Sequence, residues 1–231
     1  MALKPDDELV VSLHSLSGDI DFNHFEEGFN SILYLAAANN RLKSLDYLLT
    51  HRHAAPNLKV TEQQTAAHIA ARHGYINILE RLALCEGISF SEKNQYGETP
   101  LYQAIGNAPS GQLVAVVQIL LAKDPGAISI PNEDGLFPID LALNRKEPAI
   151  IKLLIERGAQ VTKKLVDIAA DMLLCESQST GTGKGSFLFF IDSPEKERLR
   201  ESAKIIIQAW NKMHLHEEIE SSSQASCSFS H

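Results

Sequence analysis

Apolar residues recur at helical spacing along most of this chain, in pairs of short runs. The first runs of the four pairs read SILYLAA, TAAHIAA, TPLYQAI and FPIDLAL, beginning at Ser31, Thr65, Thr99 and Phe137. The second runs read LKSLDYLL, INILERLAL, LVAVVQILLA and AIIKLLIERGA, beginning at Leu42, Ile76, Leu113 and Ala149. Each second run places its apolar side chains on one wide stripe of a helix. The pattern therefore predicts four helix-turn-helix repeats.

The repeats are regularly spaced. Their starts are separated by 34, 34 and 38 residues (65−31, 99−65 and 137−99). The longer third interval is explained by NAPSGQ, which follows Gly106 and adds about four residues of loop-forming type between two helices. Intervals of this length indicate a stack in which each repeat buries apolar surface only against its neighbours.

The third repeat opens with a motif that resembles a known family. Gly97, Thr99, Pro100 and Leu101 match the Gly-x-Thr-Pro-Leu opening of ankyrin repeats. A Thr at a helix start caps free amides, Pro fits the first turn because it has no N–H, and paired Ala lets helices approach closely. The fourth repeat adds further matches at its opening and its exit: Gly135, Pro138, Gly158 and Ala159.

The resemblance covers roughly residues 18–160 and implies an all-α fold, an ankyrin-repeat solenoid of stacked helix-turn-helix units with a C-terminal capping helix. Phe29 and Gln63 stand where the opening Gly is usual, so the first two repeats should have less regular turns. His68 stands at the ankyrin His position, where the imidazole is expected to tie adjacent loops together. Asp140 and Asp167 share that position and should act as helix-start acceptors.

We expect four regions along the chain. Residues 1–27 form an N-terminal half-repeat cap, and residues 28–160 form four degenerate ankyrin repeats. Residues 161–216 form a fifth, partial repeat with a Gly/Ser loop and a capping helix from about residue 195 to 214. That helix either closes the stack or binds a partner through its apolar face. Residues 217–231 are expected to be disordered; this acidic, Ser-rich tail is either an ordinary solvated tail or an export signal that resembles those of bacterial type IV effectors.

Charge and composition narrow the classes of function. The net charge of −8 argues against nucleic acid as a ligand, and no apolar run is long enough to cross a membrane. Three widely spaced cysteines without a CxxC pair, and His-x-His pairs without further ligands, predict no metal site. GTGKGS, from Gly181 to Ser186, fails the Walker pattern. We therefore expect no cofactor, and a monomeric, soluble chain in the cytoplasm.

The ankyrin resemblance also implies where a partner protein binds. In this family the variable contact positions flank the opening Gly and follow the paired Ala, on a concave face. Carried over to this sequence, they are Glu62, Gln64, Arg72, His73, Gln95, Tyr96, Glu98, Asn107, Glu133, Asp134, Leu136, Asn144 and Arg145. Tyr96 and Arg72 are the expected anchors, because an aromatic plane and a planar cation give much contact area and directionality.

The predicted function is a non-catalytic module for protein–protein interaction. The alternative is a bacterial type IV effector, secreted into a host cell, with an enzymatic or partner-modifying activity in the region after Leu174.

Overall fold

The structure of the chain is a computed structural model that describes residues 5–15, 21, 23, 31–178 and 194–227. Their regular elements are helices, with no strand among them. The helices are α1 (Asp6–Ser15), α2 (Ile32–Ala38), α3 (Leu42–His51), α4 (Ala66–His73), α5 (Ile76–Ala83), α6 (Pro100–Asn107), α7 (Ser110–Lys123), α8 (Pro138–Asn144), α9 (Pro148–Glu156), α10 (Lys163–Gln178) and α11 (Pro194–Cys227). The chain divides into two compact units, Met1–Leu141 and Ala142–His231.

The first unit is built from three helix pairs that lie side by side in chain order. The first helices contact one another in the order α2, α4, α6, and the second helices contact one another in the order α3, α5, α7. Within each pair, α2 contacts α3, α4 contacts α5 and α6 contacts α7. This arrangement confirms the predicted stack. Both rows contribute fully buried apolar side chains, among them Ala37, Leu45, Leu48, Ala70, Ala71, Ile78, Leu79, Leu82, Leu101, Ala104, Ile105, Val116, Val117 and Leu120.

The first helices begin at the residues that the sequence indicates. Before α6, the Thr99 hydroxyl accepts the Tyr102 backbone N–H at 3.3 Å, and Pro100 is the first helical residue. Before α2, the Ser31 hydroxyl accepts the Tyr34 N–H at 3.2 Å in the same way. Each cap satisfies an amide that has no acceptor within its own helix. The stretch that begins at Gly97 is therefore a helix-starting device, as predicted.

α1 covers the beginning of α3, which has no side-chain cap of its own. The Asp6 carboxylate accepts the backbone N–H of Lys43 at 2.9 Å and that of Ser44 at 3.2 Å. An anion placed there also interacts favourably with the positive end of the α3 dipole. α1 thus supplies acceptors for the first amides of α3. The half-repeat cap over residues 1–27 stays a prediction, and residues 1–4, 16–20, 22 and 24–27 of it lie outside the described residues.

The second unit contains the C-terminal helices, with α11 in contact with both α9 and α10. Its apolar positions Leu199, Ala203 and Ile206 are buried, whereas Met213 at the end of the apolar stripe is 41% exposed. The described part of α11 therefore uses its apolar face for packing inside this unit. That the helix closes the repeat stack stays a prediction.

Two boundaries in the second unit differ from the sequence prediction. α10 extends to Gln178, so that Cys175–Gln178 are helical and do not begin the predicted Gly/Ser loop. α11 extends to Cys227, so that residues 217–227, predicted to be disordered, are helical. A helix satisfies its own backbone hydrogen bonds, and the Glu and Gln residues of both segments have high helix propensity. Residues 179–193 and 228–231 lie outside the described residues.

Candidate partner-binding surface

The turns that precede α4, α6 and α8 share one hydrogen-bonded geometry. In each turn, an amide donates to the carbonyl four residues later: Val60 to Gln64 at 2.9 Å, Asn94 to Glu98 at 3.0 Å and Asn132 to Leu136 at 3.0 Å. The residue just before that carbonyl has a positive φ: Gln63 at 55°, Gly97 at 71° and Gly135 at 75°. The second repeat forms this turn with a non-glycine residue, and Glu62 before it also has a positive φ of 59°, unlike the residue before Gly97 or Gly135. The turn predicted at Phe29 of the first repeat lies outside the described residues.

Successive turns are joined directly to one another. The Gln95 N–H donates to the Glu62 carbonyl at 2.9 Å, and the Glu133 N–H donates to the Tyr96 carbonyl at 3.1 Å. These two bonds hold three turn tips side by side in the first unit. We call the surface formed by Glu62, Gln95, Tyr96, Glu133 and Asp134 the finger-loop surface; the side chains of all five are exposed.

Gly97 is required for both its conformation and its size. Its φ of 71° lies in the left-handed region, and a Cβ placed on it would lie 2.7 Å from the Glu133 backbone nitrogen. Gly135 has a similar φ of 75°, but a Cβ there would meet nothing within 4 Å. The close approach at Gly97 is what permits the bond between the Tyr96 and Glu133 tips.

Tyr96 combines an exposed side chain with a fixed backbone. Its side chain is 49% exposed. Its N–H donates to Asn94 Oδ1 at 2.9 Å, and its carbonyl accepts the Glu133 N–H. Asn94 is buried, and its Oδ1 also accepts the Glu98 N–H at 2.9 Å. The ring of Tyr96 is therefore presented to solvent from a turn that is held on both sides.

His68 ties the second repeat to the third. Its Nδ1 accepts the Thr65 backbone N–H at 3.2 Å, and its Nε2–H donates to the Glu98 carbonyl at 3.0 Å. Burial of the imidazole lowers its pKa to about 4, against the ordinary 6.5, so the ring is neutral at neutral pH. These contacts confirm the role predicted for His68. The helix-start role predicted for Asp140 is also confirmed, because its carboxylate accepts the Phe137 N–H at 2.8 Å. Asp167 as a helix-start acceptor stays a prediction.

Arg72 and His73 lie at the C-terminal end of α4, and both side chains are exposed. Burial raises the pKa of the Tyr34 phenol in the neighbouring α2, and the positive charge of Arg72 partly offsets this rise. Glu62 raises the pKa of Tyr34 further. The His73 ring stacks on Tyr75 at 5.3 Å between centroids. The α4 helix therefore presents a basic end about 10 Å along its axis from its N-terminus.

Some of the predicted contact residues next to the turns have side chains that are not exposed to a partner. Gln64 is only 4% exposed, so its side chain does not face a partner in this structure. Glu98 is half-buried, and its carboxylate accepts Asn94 Nδ2 at 3.0 Å and also accepts Gln103 Nε2. Leu136 is half-buried as well. These three side chains shape the turns from inside.

The remaining predicted contacts lie at the ends of first helices. Asn107 is exposed at the end of α6, where its Nδ2 donates to the Gln103 carbonyl at 3.2 Å. Asn144 is exposed and Arg145 half-buried, and both belong to the second unit. A partner contact at each of these positions stays a prediction.

Sequence reasoning missed Asn94, whose amide organises the Tyr96 turn. A signal for it exists, because Asn-x-x-Gly occurs at Asn94 and again at Asn132. Asn132 Oδ1 accepts the Leu136 N–H at 2.9 Å, and its Nδ2 donates to the Tyr102 hydroxyl at 3.2 Å. Val60 stands at this position in the second repeat, where its apolar side chain cannot accept an amide.

Among the described residues, no helix combines the length and apolarity that a bilayer crossing requires. No three His, Cys, Asp or Glu side chains in the same ranges are grouped so that they could hold a metal ion.

Stacked helix pairs joined by hydrogen-bonded turns define a repeat protein of the ankyrin class. The family model for ankyrin repeats (3 copies) matches residues 1–94 and 33–125, which together reach across more than half of the chain. The chain therefore belongs to the ankyrin-repeat family, as the resemblance implies.

The chain is similar to several ankyrin-repeat proteins. An ankyrin repeat protein of Rickettsia felis is 28% identical over 142 residues, which are 58% of this chain and 60% of the relative. The nuclear factor NF-kappa-B p100 subunit of Gallus gallus is 34% identical over 68 residues, 29% of this chain and 8% of its own length. The ankyrin repeat and KH domain-containing protein mask-1 of Caenorhabditis elegans is 32% identical over 105 residues, 45% of this chain and 4% of its own length. The chain thus spans less than two thirds of each of these relatives. Ankyrin repeats indicate a module for protein–protein interaction.

Proposed function

We propose that the chain is a non-catalytic binding module that recognises another protein through the finger-loop surface of its first unit. The observation that supports this most strongly is Tyr96, a large aromatic side chain that is half exposed on a turn with a fixed backbone. Aromatic side chains are costly to leave in water and are enriched at the centres of interfaces. A rigid turn loses little conformational entropy on binding, so the contact energy is retained.

Arg72 is the second proposed anchor. Its guanidinium is exposed and can form paired hydrogen bonds with a carboxylate or stack on a ring. With Tyr96 at the tips and Arg72 at the far end of α4, a partner would contact both the turns and the first helices. The remaining exposed positions are proposed as peripheral contacts, since few residues of an interface supply most of its energy.

The test is affinity purification with the intact chain as bait, followed by binding measurements with the protein recovered. Tyr96→Ala should weaken binding at least about tenfold, because truncation of a central aromatic anchor costs more than about 1.4 kcal/mol. Arg72→Ala should weaken it further. The melting temperature should change little, since neither side chain is buried.

Leu84→Ala is the matched control. Leu84 is an 80% exposed apolar residue at the end of α5, in the second-helix row and outside the finger-loop surface. Its truncation should leave binding unchanged. Equal binding by the Tyr96→Ala and Arg72→Ala double variant and the intact chain would refute the proposed surface.

A further inference from the structure

The exposed fingertips are rich in carboxylates on both sides of Tyr96. Glu62 belongs to the tip before the Tyr96 turn, while Glu133 and Asp134 belong to the tip after it. The bonds from Gln95 to Glu62 and from Glu133 to Tyr96 fix these tips next to each other. The aromatic ring therefore stands between two acidic tips.

The lysines of the same loops do not neutralise these tips. Lys59 pairs with Glu92 at 3.0 Å and donates to the Lys93 carbonyl at 3.1 Å. Lys93 donates to the Pro131 carbonyl at 2.9 Å. The other ion pairs among the described residues of the first unit join Lys43 to Asp7 and Arg81 to Asp46. No ion pair in that part of the chain therefore involves the fingertip carboxylates of Glu62, Glu133 and Asp134.

A buried amide positions the Glu62 carboxylate at its fingertip. Gln64 is 4% exposed, and its Nε2 donates to Glu62 Oε2 at 3.0 Å. An amide carries no net charge, so this contact orients the carboxylate without neutralising it.

We propose that the finger-loop surface recognises an arginine side chain in an extended segment of the partner protein. This inference rests on the proposed function and specifies the chemistry of the partner. A guanidinium has five N–H donors in a planar fork, so it can bind a fingertip carboxylate through two parallel hydrogen bonds. Its planar face can stack on the Tyr96 ring, which a lysine ammonium does less well.

The first experiment compares three fluorescently labelled 12-residue peptides in which Gly alternates with Arg, Lys or Glu. Binding to the full chain is followed by fluorescence anisotropy at low and at physiological salt. The Arg peptide should bind at least about tenfold more tightly than the Glu peptide and about threefold more tightly than the Lys peptide. Equal affinities of the Arg and Lys peptides, or tighter binding of the Glu peptide, would overturn the assignment.

The second experiment separates a specific surface from general attraction by a protein of net charge −8. One variant combines Glu62→Gln, Glu133→Gln and Asp134→Asn. Its control combines Glu80→Gln, Glu86→Gln and Glu156→Gln, three exposed carboxylates outside the finger loops. The fingertip variant should lose about tenfold in affinity for the Arg peptide and the control less than about twofold. Similar losses in both variants would overturn the proposal.

The same variants distinguish this inference from the proposed function. If the recovered partner loses affinity for the Tyr96→Ala variant but not for the triple fingertip variant, the arginine assignment fails and the proposed surface stands. If the partner is indifferent to Tyr96→Ala, the proposed function fails whatever the peptides show.

Discussion

At the residue scale, the packing of His68 shows how one buried side chain links adjacent repeats. The ring accepts at Nδ1 from its own helix start and donates at Nε2 to the turn of the following repeat. Only the neutral imidazole can do both, because a protonated ring has no acceptor. The stability that this packing contributes therefore depends on pH.

The sign of that dependence follows from the pKa of His68, which burial lowers to about 4 in the folded chain from an ordinary 6.5. Above pH 6.5 both states are neutral and the full stability is present. As the pH falls from 6.5 to 4, His68 is protonated in the unfolded state but stays neutral in the folded state. The free energy of unfolding should decrease by up to about 3 kcal/mol over this window and level off below it.

Urea denaturation at pH 7, 6, 5 and 4 measures this effect. The comparison with His68→Gln, which keeps a neutral polar group, subtracts the contribution of the carboxylates. The intact chain should lose more stability than His68→Gln as the pH is lowered. Parallel pH profiles of the two proteins would contradict the neutral, buried imidazole.

At the scale of the element, the turns are stabilised by their neighbours as well as by their own residues. Gly97 tests this point, because alanine there would need both a left-handed backbone and space next to the Glu133 nitrogen. Gly135→Ala is the matched control, since it imposes the same backbone cost without the contact. Gly97→Ala should be more destabilising than Gly135→Ala by at least about 1 kcal/mol. Urea midpoints of the two variants give the difference, and equal midpoints would show that the tips are not in close contact.

The helix pairs could be predicted from sequence because local residues determine them. Thr99 and Pro100 favour a helix start through their own side chains, without help from distant residues. The apolar stripe of each second helix shows which face is buried, whatever the identity of the neighbouring helix. The turn contacts could not be predicted in the same way. Gln64 and Glu98 look like exposed residues beside a turn, and their burial depends on the position of the next repeat.

The end of α11 is a helical segment that the sequence pattern does not predict. The residues after His216 lack an apolar stripe, so periodicity gives no reason to continue the helix. The structure continues it to Cys227 through internal hydrogen bonds and residues of high helix propensity. Apolar periodicity predicts helices that carry an apolar stripe and gives no signal for a helical segment without one.

At the scale of the whole molecule, the residues that stabilise the first unit are separate from those proposed to bind a partner. Its buried alanines and leucines hold the helix pairs together, while the fingertips present polar and aromatic groups whose replacement should leave the stack intact. This separation explains how a family can keep one fold and vary its partners. It also makes recognition variants interpretable, since changes in binding need not involve changes in folding.

The central claim is that a partner protein lies on the finger-loop surface of the first unit. Amide hydrogen exchange of the chain, alone and with the protein that it recovers, tests this most directly, because it reports every segment at once. Partner binding should slow exchange in residues 61–64, 95–98 and 133–136 and leave α3, α5 and α7 unchanged. Slower exchange confined to α3, α5 and α7, with the three turns unaffected, would contradict the account.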